Sequence, residues 1–193
     1  MKEDLFKKAI EVFDLENAKD PNKIELNGKE EPYELVYSKW LSEWVNKLNP
    51  QCSEELRLAA RCQHIKRWEI SRSKYPNGKK GYLQWKKELA EFHAKEAANI
   101  LSQLGYDSQT IERVNSINLK KNLKTDSEVQ TIEDALCLVT LQYQIESFST
   151  KHEDEKMIDI IRKTWAKMSE QAKSESFKLQ YSERVLKLIQ KAI

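Results

Sequence analysis

Glycine and proline are scarce in this chain, each occurring only four times among 193 residues. These two residues interrupt helices, and sandwiches and barrels need them in number for their turns. Between them, apolar side chains recur every three or four positions, which is the spacing of one helix face. The sequence therefore predicts an all-α protein. Its length fits one helical domain over residues 1–193.

Local start and stop signals divide the chain into eight predicted helices. Seven of them cover residues 3–18, 32–48, 82–104, 108–117, 129–148, 154–168 and 182–192. The eighth begins at residue 53. Gly105 supplies a helix stop, and Asp107 or Ser108 a cap for the next helix. Residues 20–28 and 71–81 are predicted as connections because turn-forming residues cluster there.

Lysine and arginine are concentrated in residues 57–87, where ten of them stand against one acid, Glu69. The whole chain carries a net charge of only +2. A local cationic block in a nearly neutral chain favours a small anionic ligand over a long polyelectrolyte. The candidate ligand-binding residues in and near this block are Arg61, Gln63, Arg67, Trp68, Glu69, Arg72, Tyr75 and Lys121. For the cations the alternative is a solvated surface, and for the aromatic residues it is packing.

Three further polar residues stand where a helical core is expected. His64 is placed beside Arg61 and Arg67, and His93 lies on an apolar stripe of its helix. Asp134 lies on a helix that is apolar nearly all round, where an unpaired carboxylate is costly. Its functional interpretation is a metal ligand or the anchor of a catalytic histidine. The alternative is an ion pair with an inward arginine such as Arg61, and for His93 a satisfied core position.

Three segments, LRLAARCQHI, ELAEFHAKEAANILSQLGYD and VQTIEDALCLV, resemble the helical HD phosphohydrolase superfamily in their order and layout. The resemblance implies an HD-like core over about residues 33–148, with helices from 152–193 packed on it. It implies that His64, His93 and Asp134 are catalytic and could hold one divalent metal ion. Departures from the pattern lie near Tyr37 or Ser38, at Gln63-His64, and over 118–121.

A closer and longer resemblance is to the family named domain of unknown function 4202. The strings LENAKDPN, RLAARCQHIKRWEISRSKYPNGKKGYLQWKKELAEFHA, IEDALCLV and KHEDEKMIDIIRKTWAKMS are similar to its signatures. This resemblance spans nearly the whole chain and implies no particular reaction.

Two functions follow as expectations. The first is an HD-like hydrolase acting on a phosphorylated small molecule or nucleotide, with His64 as general base if no metal binds. The alternative is a non-catalytic HD-like module that binds an anionic ligand. RNA contact through residues 57–87 is a third interpretation, but the block contains no recognised RNA motif, so nucleic acid is not an expected partner.

The chain is also expected to be a cytoplasmic protein without a membrane partner. No run approaches the roughly 18 apolar residues of a membrane span. The three cysteines, Cys52, Cys62 and Cys137, show no CxxC pairing and are expected to be reduced structural thiols.

Overall fold

Ten α-helices make up most of residues 2–193, the part of the chain that this computed structural model describes. In chain order they are α1 (Lys2–Asn17), α2 (Tyr33–Leu48), α3 (Glu54–Cys62), α4 (Lys79–Leu104), α5 (Ser108–Asn118), α6 (Ser127–Val139), α7 (Ile145–Lys151), α8 (Asp154–Trp165), α9 (Glu170–Ser176) and α10 (Glu183–Ala192). The predicted all-α, single-domain class is confirmed.

Side chains cap most of the helices where the sequence offers a short polar residue. Asp107 accepts a hydrogen bond from Thr110 N and so begins α5, and Gly105 ends α4 with a φ of +91°. Ser53 caps α3 in the same way through Leu56 N. Both the stop at Gly105 and the cap at Asp107 confirm the sequence predictions.

A small antiparallel hairpin replaces part of the predicted connection after α1. Strands β1 (Lys23–Leu26) and β2 (Lys29–Pro32) pair with Leu26 opposite Lys29. Asn27 and Gly28 form the turn with φ of +52° and +75°, and positive φ at both positions suits a two-residue hairpin turn. The two ends of the hairpin are joined by a hydrogen bond from Tyr33 N to Asn22 O at 2.9 Å. The start of α2 therefore lies next to the residue that precedes β1.

Two other elements differ from the prediction. The helix predicted over 129–148 is divided by a π-helical segment at Thr140–Gln144, which separates α6 from α7. Helix α9 has only seven residues and was not predicted, since it is too short to show an apolar stripe.

The core lies between α2, α3, α5 and α6, with α1 packed on α3 and α4 packed on α5. A second buried apolar cluster joins α7, α8 and α10 through residues such as Ile145, Met157 and Leu188. Tyr181 packs against both clusters and links them. The central position of α2 and α6 is what allows their polar side chains to face one cavity.

The three cysteines are buried and free, as expected of structural thiols. Within residues 2–193, no helix combines the length and the apolar character needed to cross a bilayer.

Candidate functional site

A cavity of about 540 Å³ opens between α2, α4 and α6, beside the turn that follows α3. Two groups of polar residues in its lining differ in exposure. The "floor" is formed by Glu34, Gln63, His93 and Asn118, which are each 6% exposed or less. The "rim" is formed by the more exposed cations Arg67, Lys86, Lys120 and Lys167.

Two histidines meet in this cavity from different elements. His64 follows α3, and its ring stacks on Tyr37 of α2 with 4.4 Å between the centroids. The ring of His93, on α4, lies 5.8 Å from that of His64. His93 Nδ1 is 2.6 Å from Ile65 O, and since a carbonyl oxygen can only accept, Nδ1 carries the hydrogen. Nε2 of neutral His93 is then an acceptor, and the described residues give it no partner.

Both rings stay neutral at neutral pH. Burial lowers the pKa of His93 to about 3, although its hydrogen bond to Ile65 opposes the shift and Arg67 adds to it. Burial also lowers the pKa of His64 well below its ordinary value, helped by the charge of Arg67 and by His93. A neutral imidazole beside a cation can accept a hydrogen bond or act as a base.

Glu34 stands in the first turn of α2, where its backbone N–H donates to Asp20 Oδ2 at 2.9 Å. Its carboxylate is buried, with Oε2 3.6 Å from His64 Nδ1 and Oε1 3.7 Å from Arg67 Nε. Burial raises the pKa of Glu34 to about 8, Arg67 opposes this, and Asp20 adds to it. Glu34 is therefore mostly protonated at pH 7.

Glu133 is the second buried carboxyl group at the cavity, and its surroundings are the opposite of those of Glu34. It forms an ion pair with Lys120, and its Oε1 lies 3.4 Å from Lys167 Nζ. Burial raises its pKa, but Lys120 and Lys167 together outweigh burial, so the pKa is lowered. Glu133 therefore stays ionised and holds two rim lysines near the cavity.

The remaining floor residues are amides with one end already engaged. Gln63 Nε2 donates to Asn118 O at 3.3 Å, and Asn118 Nδ2 donates to Cys62 Sγ at 3.2 Å. Within the described part of the chain, Gln63 Oε1 and Asn118 Oδ1 have no hydrogen-bond partner. These two amides therefore present unpaired acceptors to the floor.

The π-helical segment contributes to the wall of the cavity. Gln144 Nε2 donates to the hydroxyl of Tyr33 at 2.6 Å, and Thr140 Oγ1 donates to Gln144 Oε1 at 3.1 Å. All three residues line the cavity. A π-turn inside a longer helix often marks a functional position, because it redirects side chains that a regular helix would place elsewhere.

Four residues that the sequence singled out come together here: Gln63, His64, Arg67 and His93 all line the cavity. Arg67 lies over the ring of Trp85, 5.0 Å from its centroid, which fixes its guanidinium at the rim.

Asp134 and Arg61, by contrast, lie outside the cavity. Asp134 accepts hydrogen bonds from Ser169 N and Ser169 Oγ at 2.8 and 2.5 Å, so it anchors the start of α9. Arg61 donates through Nε and Nη2 to the two carboxylate oxygens of Asp14, at 2.6 and 2.7 Å. The alternative ion pair between Arg61 and Asp134 is wrong, because each side chain has a different partner.

The other predicted ligand-binding residues also do not line the cavity; they are Trp68, Glu69, Arg72, Tyr75 and Lys121. Arg72 instead donates to the backbone carbonyls of Tyr75 and Pro76, both at 3.0 Å, and so braces the loop before α4. Tyr75 donates its hydroxyl hydrogen to Glu88 at 2.5 Å. Lys121 is exposed, whereas its neighbour Lys120 turns toward the cavity.

Several site residues were not among the sequence candidates: Glu34, Lys86, Lys120, Glu133 and Lys167. Lys120 and Glu133 are each one position away from a candidate, Lys121 and Asp134 respectively. The sequence therefore indicated the correct segments but not the residues in them that face the cavity. Lys167 and Glu34 carried no local signal, because their role depends on contacts between distant elements.

A metal centre made of His64, His93 and Asp134 is not assembled. Among residues 2–193, no three His, Cys, Asp or Glu side chains are grouped so as to hold a metal ion. The physical reason is that both oxygens of Asp134 are bonded to Ser169, away from the two rings.

Comparison with known families gives a match over residues 7–189 to the family described as Domain of unknown function (DUF4202). No curated protein and no solved structure shows significant similarity to the chain.

Proposed function

The chain belongs to the DUF4202 family, and we propose that this helical domain binds a phosphorylated small molecule in the cavity between α2, α4 and α6. The observation that carries the proposal is the convergence of Arg67, Lys86, Lys120 and Lys167 on one buried polar cavity. They come from four separate parts of the chain.

The charges at the cavity support an anionic ligand. Four rim cations face one ionised carboxylate, Glu133, because Glu34 is mostly protonated at pH 7. The net charge of these groups is therefore close to +3. Burial lowers the pKa of Lys86, and repulsion from Lys120 and Lys167 lowers it further. A phosphate dianion among these lysines would relieve that repulsion and accept their hydrogen bonds.

An HD-like arrangement of the core, over about residues 33–148 with 152–193 packed on it, is part of the proposal. The positions at which the HD pattern expects its ligands correspond to Tyr37 or Ser38, Gln63-His64, His93, residues 118–121 and Asp134. Tyr37, Gln63, His64, His93 and Asn118 line the same cavity, whereas Asp134 lies outside it. These residues are far apart in sequence but meet at one cavity. This is consistent with an HD-like site in which other polar groups stand at the positions of the metal ligands.

Hydrolysis of the bound phosphate ester is the second candidate function. Two neutral histidines and a protonated Glu34 meet in one cavity, which supplies a base and an acid at neutral pH. His64 would take a proton from the attacking water, and Glu34 would give one to the leaving oxygen. The residues present do not fit a three-ligand metal centre, so no step is assigned to a metal ion.

Matched lysine variants test the binding proposal. Inorganic phosphate and a panel of phosphorylated metabolites should raise the melting temperature of the protein, because a ligand that binds only the native state stabilises it. Lys120→Met should weaken phosphate binding about tenfold, whereas Lys121→Met, one position along and outside the cavity, should not. Equal effects of the two variants, or no shift with any anion, would contradict the proposal.

Release of inorganic phosphate from the same panel tests the hydrolase candidate. Turnover that is lost in His64→Ala while binding persists supports hydrolysis. Stabilisation by a compound that is never consumed supports the binding module instead.

A further inference from the structure

Besides Glu34 Oε2, the floor of the cavity holds three buried hydrogen-bond acceptors that the protein leaves unpaired. They are Gln63 Oε1, His93 Nε2 and Asn118 Oδ1, and within residues 2–193 none has a partner. Gln63, His93 and Asn118 are 6%, 2% and 3% exposed. Buried polar atoms are nearly always paired, so three exceptions on one surface point to a missing partner.

The identity of these atoms as acceptors is fixed by the other end of each side chain. Gln63 Nε2 is used by Asn118 O, and Asn118 Nδ2 by Cys62 Sγ, which assigns both amide orientations. His93 Nδ1–H is used by Ile65 O, which leaves Nε2 with its lone pair. Only a ligand or water that donates hydrogen bonds can pair with these three atoms.

A charged amine would be a poor donor at this position. The four rim cations repel an ammonium group, and Glu133, the ionised carboxylate at the cavity, is already paired with Lys120 and Lys167. Neutral hydroxyl groups donate hydrogen bonds without that repulsion.

We infer that the ligand of this cavity is a sugar phosphate, with its hydroxyl groups on the floor acceptors and its phosphate on the rim cations. This inference rests on the proposed binding of a phosphorylated small molecule and names its chemical class. The orientation of the ligand follows from this arrangement. The unpaired acceptors lie on the floor and face the hydroxyl groups, and the cations lie at the rim and face the phosphate.

Two of the aromatic rings that line the cavity, Tyr37 and Trp85, are poorly placed to stack on a nucleotide base. One face of Tyr37 is stacked on His64, and the ring of Trp85 lies under the guanidinium of Arg67. These rings are therefore engaged within the protein rather than open to a base. Recognition through hydroxyl groups does not require a free aromatic face.

Calorimetry with matched phosphate esters tests the inference. The probes are ribose 5-phosphate, glucose 6-phosphate and glycerol 3-phosphate, compared with butyl phosphate, adenosine 5′-monophosphate and inorganic phosphate. At least one sugar phosphate should bind about tenfold or more tightly than butyl phosphate, which has the same charge but no hydroxyl group, because a site with buried acceptors rejects a ligand that leaves them unpaired. Equal affinities, or tighter binding of adenosine 5′-monophosphate, would overturn the inference while leaving phosphate binding intact.

Binding of none of these compounds, inorganic phosphate included, would overturn the proposed function as well. Two variants separate the floor from the rim. Gln63→Met should reduce the preference for the sugar phosphate over butyl phosphate severalfold, since it removes one floor acceptor. Lys167→Met should weaken both ligands equally and leave their ratio unchanged. If Gln63→Met does not fold, the affinity ratio of the unaltered protein decides the question.

Discussion

Replacing Glu34 by glutamine should stabilise the protein, and the gain should grow as the pH rises. The side chain of Glu34 is 5% exposed, and its Oε2 has no hydrogen-bond partner among the described residues. Burial raises the pKa of Glu34 from 4.5 to about 8, against the opposing charge of Arg67. The folded protein therefore disfavours ionisation of this group, and a neutral amide of the same shape avoids that penalty.

The sign and size follow from proton linkage. Below pH 4.5, Glu34 is protonated in both the folded and unfolded states, so its ionisation does not affect stability. Between pH 4.5 and about 8 only the unfolded state releases the proton, which lowers the free energy of unfolding by about 1.4 kcal/mol per pH unit. The loss is about 3 kcal/mol at pH 7 and levels off above the folded pKa.

Urea denaturation of the unaltered protein and of Glu34→Gln, from pH 5 to 8.5, measures this difference directly. A Glu34→Gln difference that does not change with pH would refute the argument. Glu133→Gln is the matched control within the same cavity. Lys120 and Lys167 outweigh burial and lower the pKa of Glu133, so its ionised form contributes stability above the ordinary value of 4.5. Glu133→Gln should therefore destabilise the protein at pH 7, and the effect should disappear as the pH falls through the folded pKa.

Two further predictions concern the candidates that lie outside the cavity. Asp134→Asn weakens the acceptor for Ser169 N and Oγ and should lower the free energy of unfolding by about 1–2 kcal/mol in urea titrations, because it disturbs the anchored start of α9. The affinity of this variant for inorganic phosphate should not change. A large loss of affinity in calorimetry would show that Asp134 contributes to the site. Asp14→Asn leaves Arg61 without its carboxylate partner and should cost about 1–3 kcal/mol of stability, again with phosphate affinity unchanged.

The helices were predictable because their signals are local. Apolar spacing, short polar caps and Gly105 are read within a few residues of each helix end. The hairpin after α1 was missed although Asn27-Gly28 is a strong turn signal, since neither KIEL nor KEEP shows a buried apolar face. Helix α9 was missed because its seven residues are too few to show an apolar stripe, and its start is held by Asp134, a contact 35 residues away.

The site was predictable only where its residues cluster in sequence. Gln63, His64 and Arg67 come from one short segment, and His93 stood out as a polar residue on an apolar stripe. Lys167 enters the cavity from beyond α8, and Glu34 from the first turn of α2. Neither belongs to a local pattern, so the tertiary arrangement alone brings them to the floor and rim.

The adjacent acids Glu133 and Asp134 show most clearly which part of the site the sequence alone does not predict. Neighbouring residues on a helix point about 100° apart, so at most one of them can face a given partner. Asp134 shares a helical face with Leu138 and Leu141, and this spacing favours it over Glu133 as the inward residue. Because α6 is apolar nearly all round, however, it has buried partners on more than one side, and the two acids are 3% and 4% exposed. Each is satisfied differently, Glu133 by the lysines of the rim and Asp134 by the start of α9. The stripe correctly indicated that a carboxylate on this helix must have a partner. Which carboxylate meets the cavity was decided by where Lys120 and Ser169 lie in the folded chain.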